Sequence, residues 1–358
     1  MASLKQIAGE LGISYTLVSK VLNGRLGTTG VSDKTRDAIL RKAKELQYTP
    51  NRLAVALKAG RKGAVGIFLH HLGSPGSEIS DRLLRSIAKG LEKSGFRMWL
   101  RFFTTDEEFL AACDERLKSE IDGLIVGGVG HGKLMVNLQE IDQQGLPVVS
   151  VFNDILACPG ASVTNVVVDY EMQGFLAARH LLQQGCRRLA HFRTIDRRYK
   201  GFLRAHSESN VKVDPKLVIA AKGFSFEDGK RCLERLLKTK AAFDGIVCQS
   251  DAQAVGVATE LALRGVDVPG EVKLTGIDNC PLAEYCITPL TSVTSGMQKA
   301  GLKAVELLLK RIDGQAVSSV MIEPHLVERK SSSTCSSPGE LRLRGSVEDR
   351  SRPCEQAS

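Results

Sequence analysis

From Ala64 onward the apolar residues fall into short continuous runs separated by stretches of helical spacing, and this alternation, gone through twice, restricts the fold more than any other feature. The first round holds the runs "AVGIFL", "FRMWLRF", "DGLIVG" and "PVVSVF", interleaved with "SDRLLRSIAKGLEKSG" and "LAACDERLKSE". The second holds "VTNVVV", "RLAHF", "DGIVCQ" and "VKLTGI", interleaved with "EMQGFLAARHLLQQG", "EDGKRCLERLLKT" and "QAVGVATELALRG". Apolar runs without a polar face suit strands covered by helices on both sides, so each round predicts one parallel α/β subdomain. Such pairs hold ligands in a cleft at the carboxyl ends of their strands. A chain of 358 residues has room for more than one core.

Residues 1–63 follow other rules. Ser3 and Gln6 form a capping-box pattern ahead of Ile7, Ala8 and Leu11; Gly12 suits a tight turn; Ser14 can cap a second helix from Tyr15 to about Leu22. Ser32 opens a third helix to about Gln47, with Ile39, Leu40, Ala43 and Leu46 on its core side. Three short helices with a Gly turn predict a helix-turn-helix head. On the second helix Leu17, Val18 and Val21 share one side, while Tyr15, Thr16, Ser19 and Lys20 crowd the other. The head carries twelve Lys and Arg against four acids, whereas the rest of the chain is nearly neutral. A basic head on a neutral body is the charge pattern of a nucleic-acid binder. A membrane-surface helix fits less well, because the head is several short capped segments, and no run of eighteen apolar residues could span a bilayer.

The strings "LKQIAGELGISYTLVSKVLN", "YTPNRLAVALKAGRKG", "VDYEMQG", "RYKGFLRA", "SDAQAVG", "GVDVPGEVKLTGID" and "PLTSV" occur in that order. Together they resemble the lactose-repressor (LacI/GalR) family of bacterial transcription regulators, from about residue 3 to 331. The resemblance implies an all-α helix-turn-helix head plus hinge helix, joined to an α/β two-lobed periplasmic-binding-protein-like core. The expected boundaries are 1–49 for the head, 50–63 for hinge helix and linker, 64–330 for the effector-binding and dimerisation core, and 331–358 for a disordered tail. The implied function is a cytoplasmic repressor, a homodimer on a near-palindromic double-stranded DNA operator, controlled by a small, sugar-like effector, with no cofactor, metal or catalytic residue. A soluble sugar-binding receptor and a sugar-active enzyme are the alternatives; the first lacks a reason for the basic head.

Tyr15, Thr16 and Lys20 are the candidates for reading base edges, since a helix-turn-helix places its second helix in the major groove and a lysine can donate to guanine O6 and N7; Ser19 on the same face is a further candidate DNA contact. A solvated helix face is the plain alternative. Asn23, Thr35 and Arg36 read as phosphate contacts or caps. Leu57, beside Lys58 in the hinge, suits a minor-groove wedge, or packs against a partner hinge. By resemblance, Arg198, Phe224 and Asp251 clamp the effector, with Ser80, Asn153 and Asp169 also lining the cleft.

Two further features lead elsewhere. "GGVGHGKL" at 127–134 imitates a phosphate-binding loop, but Leu134 stands where a magnesium-holding Ser or Thr is needed. Nine cysteines without any C-x-x-C spacing predict reduced, mostly buried thiols. His70 or His71, closing the first strand, is a possible ligand contact or a surface histidine. The N-terminus lacks the pattern of a secretory signal.

Overall fold

The computed structural model describes residues 3–22, 30–48, 60–70, 78–128, 132–151 and 163–333. Asn23, Leu57, Lys58, Asn153, the proposed hinge helix, His71 and residues 334–358 of the expected tail lie outside them.

The head is three helices: α1 (Leu4–Leu11), α2 (Tyr15–Leu22) and α3 (Asp33–Glu45). Ser3 Oγ accepts the Gln6 N–H at 3.1 Å, but the reciprocal arm of the capping box is not made, because the Gln6 amide donates to Glu10 instead. Gly12 turns the chain at φ +64°, and Ser14 and Ser32 cap the next two helices as expected. The core is Ile7, Ala8, Val18, Val21, Ile39 and Ala43. Leu40 departs from the expectation and is 46 % exposed. With three short helices the core closes on a narrow stripe, and a residue one step of 100° from Ile39 falls outside it.

The remaining elements run β1 (Ala64–His70), α4 (Ile79–Ser94), β2 (Arg97–Phe103), α5 (Asp106–Ala112), α6 (Glu115–Glu120), β3 (Gly123–Gly127), α7 (Gly132–Gln143), β4 (Val148–Val151), β5 (Thr164–Val168), α8 (Tyr170–Gln183), β6 (Leu189–Arg193), α9 (Asp196–Glu208), β7 (Val218–Ala220), α10 (Phe226–Lys238), β8 (Gly245–Val247), α11 (Asp251–Leu263), β9 (Lys273–Asp278), α12 (Pro281–Tyr285), β10 (Thr291–Thr294), α13 (Met297–Ile312), β11 (Val320–Ile322) and β12 (Leu326–Val327). They form two six-stranded sheets, ordered β11-β5-β4-β3-β1-β2 and β12-β10-β9-β8-β6-β7. Every pairing is parallel except β10 with β12.

The chain divides into two compact units, one of residues up to Tyr170 with Ser295–Pro324, the other of Glu171–Thr294 with the chain from His325 on. In the first unit successive residues of β1 serve opposite faces: Ile67 belongs to the cluster of Leu83, Ile87 and Leu308, while Phe68 belongs to that of Phe109, Leu124 and Leu138. The second unit repeats the plan, with Phe192, Ile246 and Leu274 on one side and Leu189, Val247 and Ile277 on the other.

Two expectations are corrected here. The run "VTNVVV" belongs to the first sheet, where β5 lies between β4 and β11, and not to the second round. Sequence order had suggested otherwise, but the chain crosses between units only after this strand. The tail does not begin at 331. Ser331 and Ser332 are buried; Ser331 Oγ donates to Leu274 O and accepts the Thr291 N–H, and Ser332 Oγ lies 2.6 Å from Thr291 Oγ1 and 2.7 Å from His180 Nε2. Small hydroxyls there satisfy polar groups of the second sheet that would otherwise be buried unpaired.

Candidate functional site

On α2 the buried Val18 and Val21 fix which side faces the other helices, and the polar set takes the remainder. Tyr15 is 44 % exposed and Thr16 is exposed, while Ser19 and Lys20 are half-buried. Thr35 and Arg36 lie in the first turn of α3. Thr35 gives its N–H to Ser32 Oγ at 3.2 Å and its hydroxyl sits 2.9 Å from the same oxygen, so it serves the cap; Arg36 is exposed. Lys42 bridges Glu45 at 2.8 Å and Glu10 at 3.4 Å, tying α3 to α1.

In the second unit the candidates cluster where parallel strands end. Arg198, in the first turn of α9 after β6, is buried; its Nε donates to Gln173 Oε1 at 2.9 Å and its Nη1 to Gln249 O at 2.6 Å. Gln249 is the hub of this network. Its side-chain oxygen accepts the Ile195 N–H at 2.8 Å, its amide nitrogen lies 3.0 Å from His191 Nε2, and its backbone N–H donates to Gln253 Oε1. Phe224, half-buried after β7, is held from the same segment: Ser250 Oγ donates to Phe224 O at 2.6 Å, and the Gln253 amide donates to Gly223 O. The "QSDAQ" stretch thereby fixes Arg198 and Phe224 together.

His191 is fully buried and stacked on Phe202 and Tyr199, with ring centroids 4.5 and 5.5 Å away. Burial, reinforced by His206, Arg193 and Arg198, pushes its imidazole down to about 3, so it is neutral and can accept from Gln249.

Asp251 faces another way. It is wholly buried at the start of α11, with Oδ1 accepting the Ser292 hydroxyl and Oδ2 accepting the Cys280 N–H at 2.8 Å. Burial raises its carboxyl to about 6, against the lowering effect of those hydrogen bonds. The reading of Asp251 as an effector clamp is therefore corrected: both oxygens are committed to the loop after β9 and to β10. A carboxylate outside the expected set is Asp278, which ends β9 at φ +118° and is followed by Asn279 at φ +48°. Two successive non-glycine residues in the left-handed region mark a backbone held against its preference, a common property of binding sites. Arg329 Nη2 donates to Asn279 Oδ1 at 2.7 Å and so fixes the bend. The available signal was the acid closing the run "VKLTGID".

In the first unit, Ser80 lies in the first turn of α4 after β1, and Asp169 directly follows β5, its N–H donating to Ile322 O. His70 Nε2 lies 2.7 Å from Thr104 O. Leu134 is buried against Phe68 and Leu138, a core residue where a phosphate loop would need a hydroxyl. The six described cysteines are free thiols, four of them buried.

Residues 3–51 match the model of bacterial regulatory proteins of the lacI family, and residues 178–332 match a periplasmic binding protein-like domain. The chain thus carries a lacI-family helix-turn-helix head and a periplasmic-binding-protein-like core. Among lacI-family relatives, the HTH-type transcriptional repressor PurR of Haemophilus influenzae (strain PittEE) is 29 % identical over 349 residues, covering 92 % of this chain and 98 % of the relative. PurR of Histophilus somni (strain 129Pt) is 26 % identical and covered in full. A solved complex of the transcriptional regulator CelR with cellobiose matches with TM-score 0.67 and 25 % identity over 92 % of this chain and 100 % of that one. The lac repressor dimer bound to operator and an anti-inducer shares the fold, with TM-score 0.70 and 20 % identity over 92 % and 99 %.

Proposed function

We propose that this chain is a sequence-specific DNA-binding repressor of transcription whose operator affinity is set by a small polar effector. One observation carries the reading: on α2 of a separately cored head, Tyr15 and Thr16 stand exposed beside Ser19 and Lys20, while Val18 and Val21 anchor the opposite side. A short helix with one side buried in its own domain can lay the other into a major groove. The basic excess of the head supplies the phosphate attraction.

For the effector, the contacts we propose are Arg198, Phe224 and Asp278 of the second unit. An arginine fork and a carboxylate beside an aromatic ring suit a ligand with several hydroxyls or a planar heterocycle. A lacI-family relative in complex with cellobiose supports the sugar-like class, and the PurR relatives support repression. Binding rather than catalysis is the core's task and the cytoplasm its place, a reading the transcriptional repressors among its relatives support.

The protein works as a homodimer. Strand β2 ends its sheet, and Met98, Trp99, Leu100 and Phe102 on it are 39–52 % exposed. An edge strand with large apolar side chains in water calls for a partner, and a second copy supplies an identical one. Selection of duplexes from random DNA, repeated with pooled metabolites, tests the function. Enrichment of a two-fold sequence whose recovery responds to a metabolite supports it; no enrichment overturns it.

A further inference from the structure

Past the head, the described chain resumes at Gly60, and the four residues before β1 are held more firmly than a connecting coil requires. Asp122, at the entry to β3, accepts the Lys62 N–H on Oδ1 at 2.9 Å and the Gly63 N–H on Oδ2 at 2.6 Å, and gives its own N–H to Ala64 O at 2.8 Å. The Lys62 ammonium donates to Lys118 O at 2.8 Å, and Arg97 donates to Lys62 O at 3.2 Å. The Arg61 guanidinium pairs with Asp313. Gly60 and Gly63 have φ near +70°, at +69° and +70°, so the chain turns on both sides of this pinned dipeptide. Surface connections ordinarily leave such groups to water.

Asp313 is the C-cap of α13, and α13 begins just after the chain passes from the second unit into the first at Ser295. Sixteen residues make a rod of about 24 Å. It is seated closely: a Cβ on Gly301 would strike Ser86 Oγ, one on Gly90 would come within 3.1 Å of Val305, and one on Gly123 within 2.9 Å of Leu308. The helix leading from the unit crossing therefore ends on the linker.

We propose that Asp122 and Asp313 are positioning residues for operator binding: they fix linker residues 60–63, and with them the point from which the chain leaves toward the head. The inference rests on the DNA-binding reading above. Charge argues against direct contact, because a carboxylate repels phosphate, and deleting one by itself strengthens DNA binding. A loss of affinity on its removal has the opposite sign and isolates positioning.

The test uses the full chain, an operator duplex recovered by selection and a scrambled duplex. Asp122→Ala is expected to speed amide exchange at Lys62 and Gly63 and to weaken operator binding about tenfold or more, with scrambled-duplex affinity unchanged or higher. Asp122→Asn, which keeps the shape with one accepting oxygen, should fall between. Arg61→Ala and Asp313→Ala should weaken the operator complex equally, the double variant no further, and the exchange Arg61→Asp with Asp313→Arg should restore it. Thermal midpoints of the partial and exchanged variants show that they are folded. Operator binding by the Asp122 and Asp313 variants as tight as wild type, or a loss confined to Arg61→Ala with a shallower salt slope, overturns the proposal. A wild-type chain that enriches no operator overturns the DNA-binding reading itself, and the proposal with it.

Discussion

A Cβ placed on Gly276 would collide with Asp251 Oδ1 and crowd Leu290, so the middle of β9 is bare where the start of α11 presses a carboxylate against it. That carboxylate holds Ser292 of β10, whose hydroxyl oxygen also accepts the Asn279 N–H at 3.0 Å, and the backbone of Cys280, just after the bend that carries Asp278. Gly276→Ala is therefore expected to cost about 1–3 kcal/mol of folding stability by overpacking and to weaken any effector whose binding needs Asp278. Urea denaturation with an m-value unchanged from wild type is the check; a variant as stable as wild type would show that β9 can yield.

Acid should destabilise the second unit through His191. Its folded-state value of about 3 lies below the ordinary 6.5, so the folded protein binds fewer protons between those limits, and its stabilising share is complete above pH 6.5 and lost as pH falls toward 3. Between pH 7 and 5 that amounts to about 2 kcal/mol. His180 and His206, lowered chiefly by burial, act in the same direction. Asp251, raised to about 6 against an ordinary 3.8, binds its proton more readily when folded and offsets part of the loss as pH falls through 6. Denaturation at pH 7 and 5 should accordingly show a steeper acid loss in Asp251→Asn than in wild type and a shallower one in His191→Gln.

On α2, Lys20→Ala should cost about 1–3 kcal/mol on a selected operator and much less on random duplex, with the head's thermal unfolding unchanged. Val18→Ala should do the reverse, unfolding the head by loss of a fully buried side chain. Equal losses for Lys20→Ala on both duplexes would reduce it to a phosphate contact.

In the effector network, Arg198→Ala should abolish stabilisation by a responding metabolite in a thermal-shift screen while leaving operator binding without metabolite intact. Gln249→Ala should weaken the same response, since its side chain accepts the Ile195 N–H at the start of α9 and meets His191 Nε2, and so steadies the turn that carries Arg198. A metabolite that stabilises both variants at wild-type concentrations binds elsewhere.

Trp99→Arg with Leu100→Arg on β2 should convert the dimer to a monomer in sedimentation equilibrium, because two charges cannot be buried at an apolar edge. Retention of the dimer would move the interface to another surface, such as the one bearing Tyr285 and Ile287, 80 % and 95 % exposed.

The sequence by itself determined what local chemistry can specify. Helical spacing separated Val18 and Val21 from Tyr15 and Thr16, the serines at 3, 14 and 32 announced the helix starts, Gly12 announced the turn, and the alternation after Ala64 announced α/β units. These are decided within a few residues along the chain. What depended on residues far apart was not legible. β5 joins the first sheet by pairing with β4, its other side is taken by β11 more than 150 positions later, and the burial of Ser331 rests on Leu274 and Thr291. The inward turn of Asp251 was decided by Ser292 and Cys280, and the strained exit of β9 at Asp278 by Arg329. Side-chain identity sets which bonds a residue can make, but a buried carboxylate spends itself on whatever donors the fold brings within reach. Only the tertiary structure could say which donors those were.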